Sequence, residues 1–110
     1  MERLVKGEVV VVPFPYSDLS RSKRRPALVL QILENDDIIL CAITSQETKG
    51  TNVIELDNPD FSKGGLEKPS FIRPDKLFTC DRSIVEYSIG SLKKSKMLVI
   101  MKKVCEIMEQ

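Results

Sequence analysis

The sequence has 110 residues, and none of them is histidine. Histidine is the usual proton carrier near neutral pH and the commonest metal ligand. Its absence excludes His-ligated zinc sites and nucleophile pairs in which histidine activates serine or cysteine. Any chemistry of this chain therefore depends on carboxylates, hydroxyls, thiols and cations.

Cysteine is scarce. Cys41, Cys80 and Cys105 are far apart and match neither a CxxC motif nor a zinc-ligand spacing. Cys41 lies in an apolar run and Cys105 in a helical pattern, so we predict that both are buried small hydrophobic residues. The sequence favours a reducing compartment, hence the cytoplasm, and indicates no metal ion and no cofactor.

Long apolar runs are also missing. No stretch approaches the ~18 apolar residues of a membrane span, and Pro13 closes the apolar run 9–12 before it resembles a signal peptide. We therefore expect no membrane partner. The formal net charge of +1 argues against indiscriminate coating of duplex DNA. The cations are clustered in residues 21–25, however, so a local site for a polyanion stays open, although charge alone favours a solvated loop.

The first two-thirds of the sequence has the pattern of short β-strands. Apolar runs predict strands at residues 8–13, 27–33, 38–44 and 52–56, with a hairpin at the polar junction 34–37. A further strand over residues 70–79 is interrupted by Pro74, which predicts a bulge or an edge position.

The C-terminal residues change to a helical period. Apolar side chains fall on one side of a helix: Met97, Ile100, Met101, Val104, Ile107 and Met108. We predict that the helix begins between Lys93 and Ser95, with Ser91 or Ser95 as its cap. Strands followed by one helix predict a single domain over residues 1–110, a mainly β (α+β), partly open β-barrel with a C-terminal amphipathic helix.

Two candidate sites lie at predicted strand ends. In the cationic segment 20–26, which we place in a surface loop, Arg25 directly precedes a strand and can bind phosphate bidentately. A solvated loop is the alternative. The segment Thr44-Ser45-Gln46 ends the third strand with groups that either donate to phosphate oxygens or satisfy the strand's own backbone.

A third candidate is the pair Arg73 and Asp75. The two residues are two positions apart and therefore face the same side of an extended chain. They form either a functional pair or a surface ion pair of little energetic consequence.

The order of these segments resembles the MazF/PemK toxin family. The matching runs are KGEVVVVPFPYSDLSRSKRRPALVL, CAITSQ and SFIRPDKLFTCDRSIVEYSIGSL, followed by the amphipathic helix. The most specific elements are Arg25-Pro26 before an apolar strand, Thr44-Ser45 closing the next one, and Arg73-x-Asp75. The likeness spans nearly the whole chain.

The resemblance implies an SH3-like barrel that forms a homodimer. It also implies a ribosome-independent endoribonuclease toxin that cuts single-stranded RNA at short sequences and is inhibited by a cognate antitoxin protein. Operator DNA would be bound only indirectly, through the toxin–antitoxin complex.

The resemblance also implies roles for individual residues. Arg25 and Thr44 match the principal catalytic pair of the family. Arg73 and Asp75 match an acid/base and phosphate-binding pair of some members. Ser45 would contact phosphate, with Gln46 beside it.

The first loop departs from the family pattern. Many members carry a His or Glu there, whereas residues 19–24 contain neither, so the group that delivers the proton stays open. We assign the cations of this loop and one aromatic residue to RNA binding: Arg21, Lys23, Arg24 and Tyr16. Tyr16 and Phe14 are expected to be the only aromatic residues near the loop. Both are candidates for stacking on an unpaired base, with a core position as the preferred interpretation of Phe14.

RNA carries its own nucleophile, the ribose 2′-hydroxyl. We hypothesise that Arg25 stabilises the phosphorane, that Thr44 donates to a non-bridging oxygen, and that Asp75, held by Arg73, is the general base. The products would be a 2′,3′-cyclic phosphate and a 5′-hydroxyl. Two alternatives are a non-catalytic SH3-like module that binds nucleic acid or protein, and an interaction protein whose partner groove uses residues 14–19 and the helix.

Overall fold

The computed structural model describes residues 3–14, 23–47 and 49–110, with only the backbone described for Phe14 and Lys23. The described residues form seven strands and one α-helix. In chain order these are β1 (Glu8–Phe14), β2 (Lys23–Ile32), β3 (Asp37–Thr44), β4 (Ile54–Leu56), β5 (Phe61–Gly64), β6 (Ser70–Asp81), β7 (Tyr87–Leu92) and α1 (Lys94–Met108).

The strands form one curled antiparallel sheet in the order β4-β6-β3-β2-β1-β7-β5. The hairpin predicted at residues 34–37 joins β2 to β3, and Asn35 and Asp36 both have positive φ there, as this tight turn requires. The outcome confirms the predicted mainly β, partly open barrel with a C-terminal helix. No helix within the described ranges has the length and hydrophobicity needed to cross a membrane.

Alternating side chains give the sheet two apolar faces. On the helix-side face, Met97, Ile100, Met101 and Val104 of α1 pack against the buried residues of the sheet. Those buried sheet residues are Val9, Leu28, Leu30, Cys41, Ile43, Leu56, Phe61, Ile72 and Leu92. The opposite face has its own buried cluster: Leu4, Val10, Val12, Ala27, Val29, Ile38, Leu40 and Val85.

Three predictions about the helix and the cysteines need correction or refinement. The N-cap residue is Lys93, without a side-chain cap hydrogen bond, so neither Ser91 nor Ser95 caps the helix. Cys41 is buried as predicted, but Cys105 is exposed because α1 turns it away from the sheet. Met108 is 66% exposed and lies outside the core although its spacing fits the apolar stripe.

The strand bounds also differ from the predicted ones. β2 begins at Lys23, so the segment 23–26 is strand and not loop, because it pairs with β1 as far as Phe14↔Lys23. Its described pairing with β3 begins only at Ala27↔Ala42. Pro26, which has no N–H to donate, thus lies where the strand is locally an edge. The short strands β5 and β7 were not predicted.

Candidate active site

The ends of the central strands carry Arg25, Thr44 and Phe71 on one face of the sheet. Thr44 of β3 lies opposite Phe71 of β6. The pairing of β2 with β3 begins at Ala27↔Ala42, and Arg25 and Thr44, each two residues from that pair, are on the same face because side chains alternate along a strand. Residues directly opposite each other share a face of the sheet. All three side chains are half-buried. A cation, a hydroxyl and an aromatic ring therefore lie together on the face of the sheet that is turned away from α1.

Arg73 extends this group of residues along β6. It lies opposite Ala42, two residues from Phe71, and is therefore a diagonal neighbour of Thr44. Such neighbours are about 7–8 Å apart, within reach of a long side chain. Arg25, Thr44 and Arg73, predicted separately from the sequence, are thus brought together on one face.

A bulge in β6 positions Asp75. Between Cys41↔Leu77 and Ala42↔Arg73 the register shifts, so β6 carries extra residues there, and Pro74 among them is fully buried. This confirms the bulge predicted at Pro74. Arg73 donates two hydrogen bonds to Asp75, from Nε to Oδ1 over 3.0 Å and from Nη2 to Oδ2 over 2.9 Å.

The forked hydrogen bond from Arg73 lowers the pKa of Asp75 below its ordinary value of 3.8. The positive charges of Arg73 and Lys76 act in the same direction, while partial desolvation opposes them. Asp75 is therefore ionised at neutral pH and can accept a proton, although a lower pKa makes it a weaker base.

The hydroxyl of Thr44 has a defined role in its own turn. Its Oγ1 accepts a hydrogen bond from the backbone N–H of Gln46 over 3.2 Å, which corresponds to one of the two alternatives that the sequence left open, a strand end that satisfies its own backbone. Because the oxygen is the acceptor in this bond, the hydroxyl hydrogen can still donate to a ligand. Ser45 and Gln46 are both exposed beside it.

A groove lies on the other, helix-side face of the same strand ends. We call it the rim groove; it has a volume of about 540 Å³. Its lining residues are Val11, Arg24, Pro26, Ser45, Gly65, Leu66, Glu67, Lys68, Ser70, Tyr87 and Ile89. Arg24 and Ser45 therefore lie in the groove, while their chain neighbours Arg25 and Thr44 face the other side of the strands.

The sequence prediction missed most of the groove. Tyr87 was overlooked as an aromatic residue near the cationic segment, so the expectation that only Phe14 and Tyr16 lie there was wrong. Residues 65–68 carry no motif, and the pair Gly64-Gly65 is the one feature of the sequence that indicates an unusual backbone conformation there. Of the other predicted binding residues, Arg21 and Tyr16 lie outside the described residues, as does the side chain of Lys23.

Asn58 fixes the loop that forms one wall of the groove. Its Oδ1 accepts the backbone N–H of Leu66 over 2.8 Å. Asn58 itself opens a 3-10 helix, Asn58–Asp60, whose N-cap Asp57 and residue Asp60 form a reciprocal capping box. Lys96 of α1 lies 3.4 Å from Asp60 Oδ2, so the loop is connected to the helix.

The described residues contain no cluster of three or more His, Cys, Asp or Glu side chains that could hold a metal ion. On the face of the sheet that carries Arg25 and Thr44, the chemically active groups described at the strand ends are cations, a hydroxyl and the carboxylate of Asp75. Such a set binds anions and can assist proton transfer.

Comparison with protein families identifies the relatives of this chain. The model of the PemK-like, MazF-like toxin of type II toxin–antitoxin systems matches residues 5–108. The chain belongs to this family. The resemblance seen in the sequence of this PemK/MazF-like toxin is thereby confirmed, while a comparison with curated proteins gives no significant match.

Solved structures share the fold of this PemK/MazF-like toxin. MazF from Deinococcus radiodurans superposes with a TM-score of 0.78 at 17% identity, over 100% of both chains. A mycobacterial endoribonuclease, solved with its cognate antitoxin, gives 0.77 at 12% identity over 97% of this chain and 96% of its own. Mycobacterium tuberculosis toxin MazF-mt6 gives 0.70 at 17% identity over 93% and 96%. At such identities the likeness establishes the fold.

Proposed function

We propose that this toxin is an endoribonuclease that cleaves single-stranded RNA at selected sequences through attack of the ribose 2′-hydroxyl on the adjacent phosphate. The observation that carries the proposal is the face of the sheet shared by Arg25 and Thr44, on which Arg73 is diagonal to Thr44 and holds Asp75. Cations, a hydroxyl donor and a carboxylate are the groups that this reaction needs from a protein.

Arg25 stabilises the charge that grows on the phosphate oxygens. Arginine side chains are poor proton donors, so electrostatic stabilisation suits Arg25 better than proton donation. The side chain is half-buried and its Nε atom is buried. A charge held partly away from water interacts more strongly with a phosphorane than one in bulk solvent.

Thr44 and Asp75 complete the proposed reaction. The Thr44 hydroxyl donates to a non-bridging oxygen, while Asp75 accepts the proton of the 2′-hydroxyl and Arg73 holds that carboxylate and contacts the phosphate. The 2′-oxygen bonds to phosphorus while the bond from phosphorus to the 5′-oxygen breaks, and the leaving 5′-oxygen takes a proton from water, which gives a 2′,3′-cyclic phosphate and a 5′-hydroxyl end. Because the nucleophile belongs to the RNA, the proposed step uses neither a metal ion nor a cofactor.

The biological setting follows from the family and is part of the proposal. The toxin, with residues 1–110 as one domain, acts in the cytoplasm as a homodimer and is inhibited by a cognate antitoxin protein. It reaches operator DNA only within the toxin–antitoxin complex. Exposed apolar side chains on α1, Leu98 at 72% and Val99 at 53%, support a protein contact on this helix.

A cleavage assay tests the proposal. Purified toxin freed of antitoxin is incubated with a long single-stranded RNA in EDTA, next to Arg25→Ala and the matched control Arg82→Ala. Arg82 is a half-buried arginine at the other end of the sheet, in a loose 3.7 Å ion pair with Asp36. We expect defined cuts by wild type and Arg82→Ala, and a loss of at least about 100-fold in Arg25→Ala.

The products and the nucleophile are tested on a short RNA that contains one mapped cut site. Cyclic phosphate ends are expected, and a single 2′-deoxyribose at the cut site should leave the strand intact. Cleavage of the deoxy-substituted strand would refute the mechanism. RNA left whole by folded wild-type toxin would refute the activity and favour the non-catalytic binding module.

A further inference from the structure

The rim groove has the size and surface of a small-ligand site. It is an open groove, and its volume of about 540 Å³ lies within the roughly 300–1,000 Å³ of typical ligand pockets. Val11, Pro26, Leu66 and Ile89 give it an apolar lining, and polar groups stand among them. A flat, largely apolar ring with polar edges fits such a lining.

Tyr87 offers an aromatic surface in this groove. It lies on β7 opposite Val11 and is 53% exposed although it lines a concavity. A tyrosine that served only the core would be covered by its neighbours. Exposed aromatic rings beside cations are the usual stacking platforms for unpaired nucleotide bases.

The polar residues of the groove suit a nucleotide. Arg24 and Lys68 contribute cations that attract phosphate, and Arg24 is oriented by a 2.8 Å ion pair with Glu86. The hydroxyl of Ser45 and the carboxylate of Glu67 add a donor and an acceptor. Unstacked bases are recognised through such groups on their hydrogen-bonding edges.

The groove adjoins the proposed site of cleavage. Arg24 and Ser45 line it, while the next residue along β2, Arg25, and the preceding residue of β3, Thr44, face the other side. Side chains of consecutive strand residues point to opposite faces. A strand of RNA that passes over the rim formed by these strand ends can therefore reach both the phosphate site and the groove.

We propose that the rim groove is a base-binding subsite, in which Tyr87 stacks on one unpaired base next to the cleaved phosphate and thereby contributes to sequence selection. This inference rests on the proposed function above. It assigns a binding role to Tyr87 and the loop 65–68, which nothing in the sequence motifs indicated.

Tyrosine fluorescence gives a binding test that needs no cleavage. The chain has no tryptophan and two tyrosines, so a Tyr16→Phe variant reports on Tyr87 alone. This variant is titrated with short, uncleavable 2′-O-methyl oligonucleotides of A, C or U, and N-acetyl-tyrosinamide in the same solutions corrects for light absorbed by RNA. We expect saturable quenching that differs between bases. Emission that follows the correction curve for all three would overturn the proposal and leave the groove to a protein partner.

Kinetics on a mapped cut site give a second test. Tyr87→Ala should raise KM by about 5- to 150-fold, the equivalent of one lost stacked base, and should broaden the set of sequences cut. Tyr87→Phe keeps the ring and should raise KM much less than Tyr87→Ala does. Leu33→Ala, which removes an exposed apolar side chain at the β2–β3 hairpin, is the matched control.

The two proposals fail separately. If wild-type toxin cuts RNA and Tyr87→Ala cuts it with unchanged KM and an unchanged cleavage pattern, the base subsite is refuted and the nuclease stands. If no protein cuts RNA while Tyr87 emission is quenched, the nuclease is refuted and the groove stands as a base-binding site.

Discussion

Arg73 and Asp75 form a forked ion pair on either side of the buried Pro74, with N–O distances of 3.0 and 2.9 Å. Their side chains are only 21% and 31% exposed. The pair is therefore better shielded than most surface ion pairs, and it fixes the one carboxylate of the proposed active site.

The first prediction concerns the pKa of Asp75. Replacing Arg73 by glutamine removes the main cause that lowers this pKa, so the carboxyl should titrate closer to its ordinary 3.8 in Arg73→Gln than in wild type. NMR titration of the side-chain carboxyl measures both values, and Arg82→Gln serves as the control. Equal values in wild type and Arg73→Gln would contradict the forked geometry.

The same shift predicts a pH-dependent stability. Because the folded-state pKa lies below the unfolded one, the Asp75 carboxylate stabilises the fold above pH ~3.8 and loses this effect as pH falls through the folded pKa. Asp75→Asn should therefore be about 0.5–1 kcal/mol less stable than wild type at pH 7. In urea unfolding at successive pH values, the two proteins should converge in acid.

The second prediction compares two apolar residues of α1. Ile100 is fully buried against the sheet and Leu98 is 72% exposed. Ile100→Ala should lower the free energy of unfolding by about 2–5 kcal/mol, and Leu98→Ala should change it by about 0.5 kcal/mol or less. Chemical denaturation measures both, and equal effects would mean that α1 packs in another orientation.

The third prediction compares two glycines with positive φ. Gly64 has φ +73°, and a Cβ there would overlap the carbonyl oxygen of Ile89 and lie 2.7 Å from Gly90 Cα. Gly50 has φ +146°, but its Cβ would meet nothing closer than 4.0 Å. Both alanine variants should be strained, and Gly64→Ala should cost about 1–3 kcal/mol more, because β5 must move away from β7. Thermal melts that rank them in the reverse order would exclude this close approach.

The fourth prediction orders the three thiols by reactivity. Burial raises the pKa of Cys41 from 9.0 to about 12, while partial burial, helped by Asp81 and Asp37, raises the pKa of Cys80. Cys105 is exposed. Since the thiolate is the reactive form, iodoacetamide should label Cys105 first, Cys80 more slowly and Cys41 only after unfolding. Mass spectrometry of timed samples reads this order directly, and early labelling of Cys41 would contradict its burial.

Local patterns predicted what depends on local contacts. The β2–β3 hairpin and α1 follow from short-range periodicity, and the Arg73–Asp75 pair follows from a spacing of two in an extended chain. The helical period alone predicts that Cys105 is exposed, because this residue lies about 140° around the helix from the buried Ile100. The prediction of a buried Cys105 gave more weight to residue type than to that angle.

Long-range pairing decided the rest. β5 and β7 are short, and their partners are remote in the sequence, so neither has an apolar pattern that would predict it. The rim groove exists only because β7 joins β1 and β5, which brings Tyr87 and the loop 65–68 beside Arg24. The placement of Arg25 and Thr44 on one face likewise depends on the register of β2 and β3. The hairpin turn sets this register, and amino-acid composition does not reveal it.

The two adjacent arginines of β2 have a consequence for how this rim can evolve. Arg24 faces the groove and Arg25 faces the opposite side only because consecutive residues of a strand alternate. Inserting or deleting one residue between Arg25 and Ala27 would exchange their faces, and a change of two would restore them. Related sequences should therefore differ in length at this point by even numbers of residues, so that each arginine keeps its face of the sheet even where the number of residues changes.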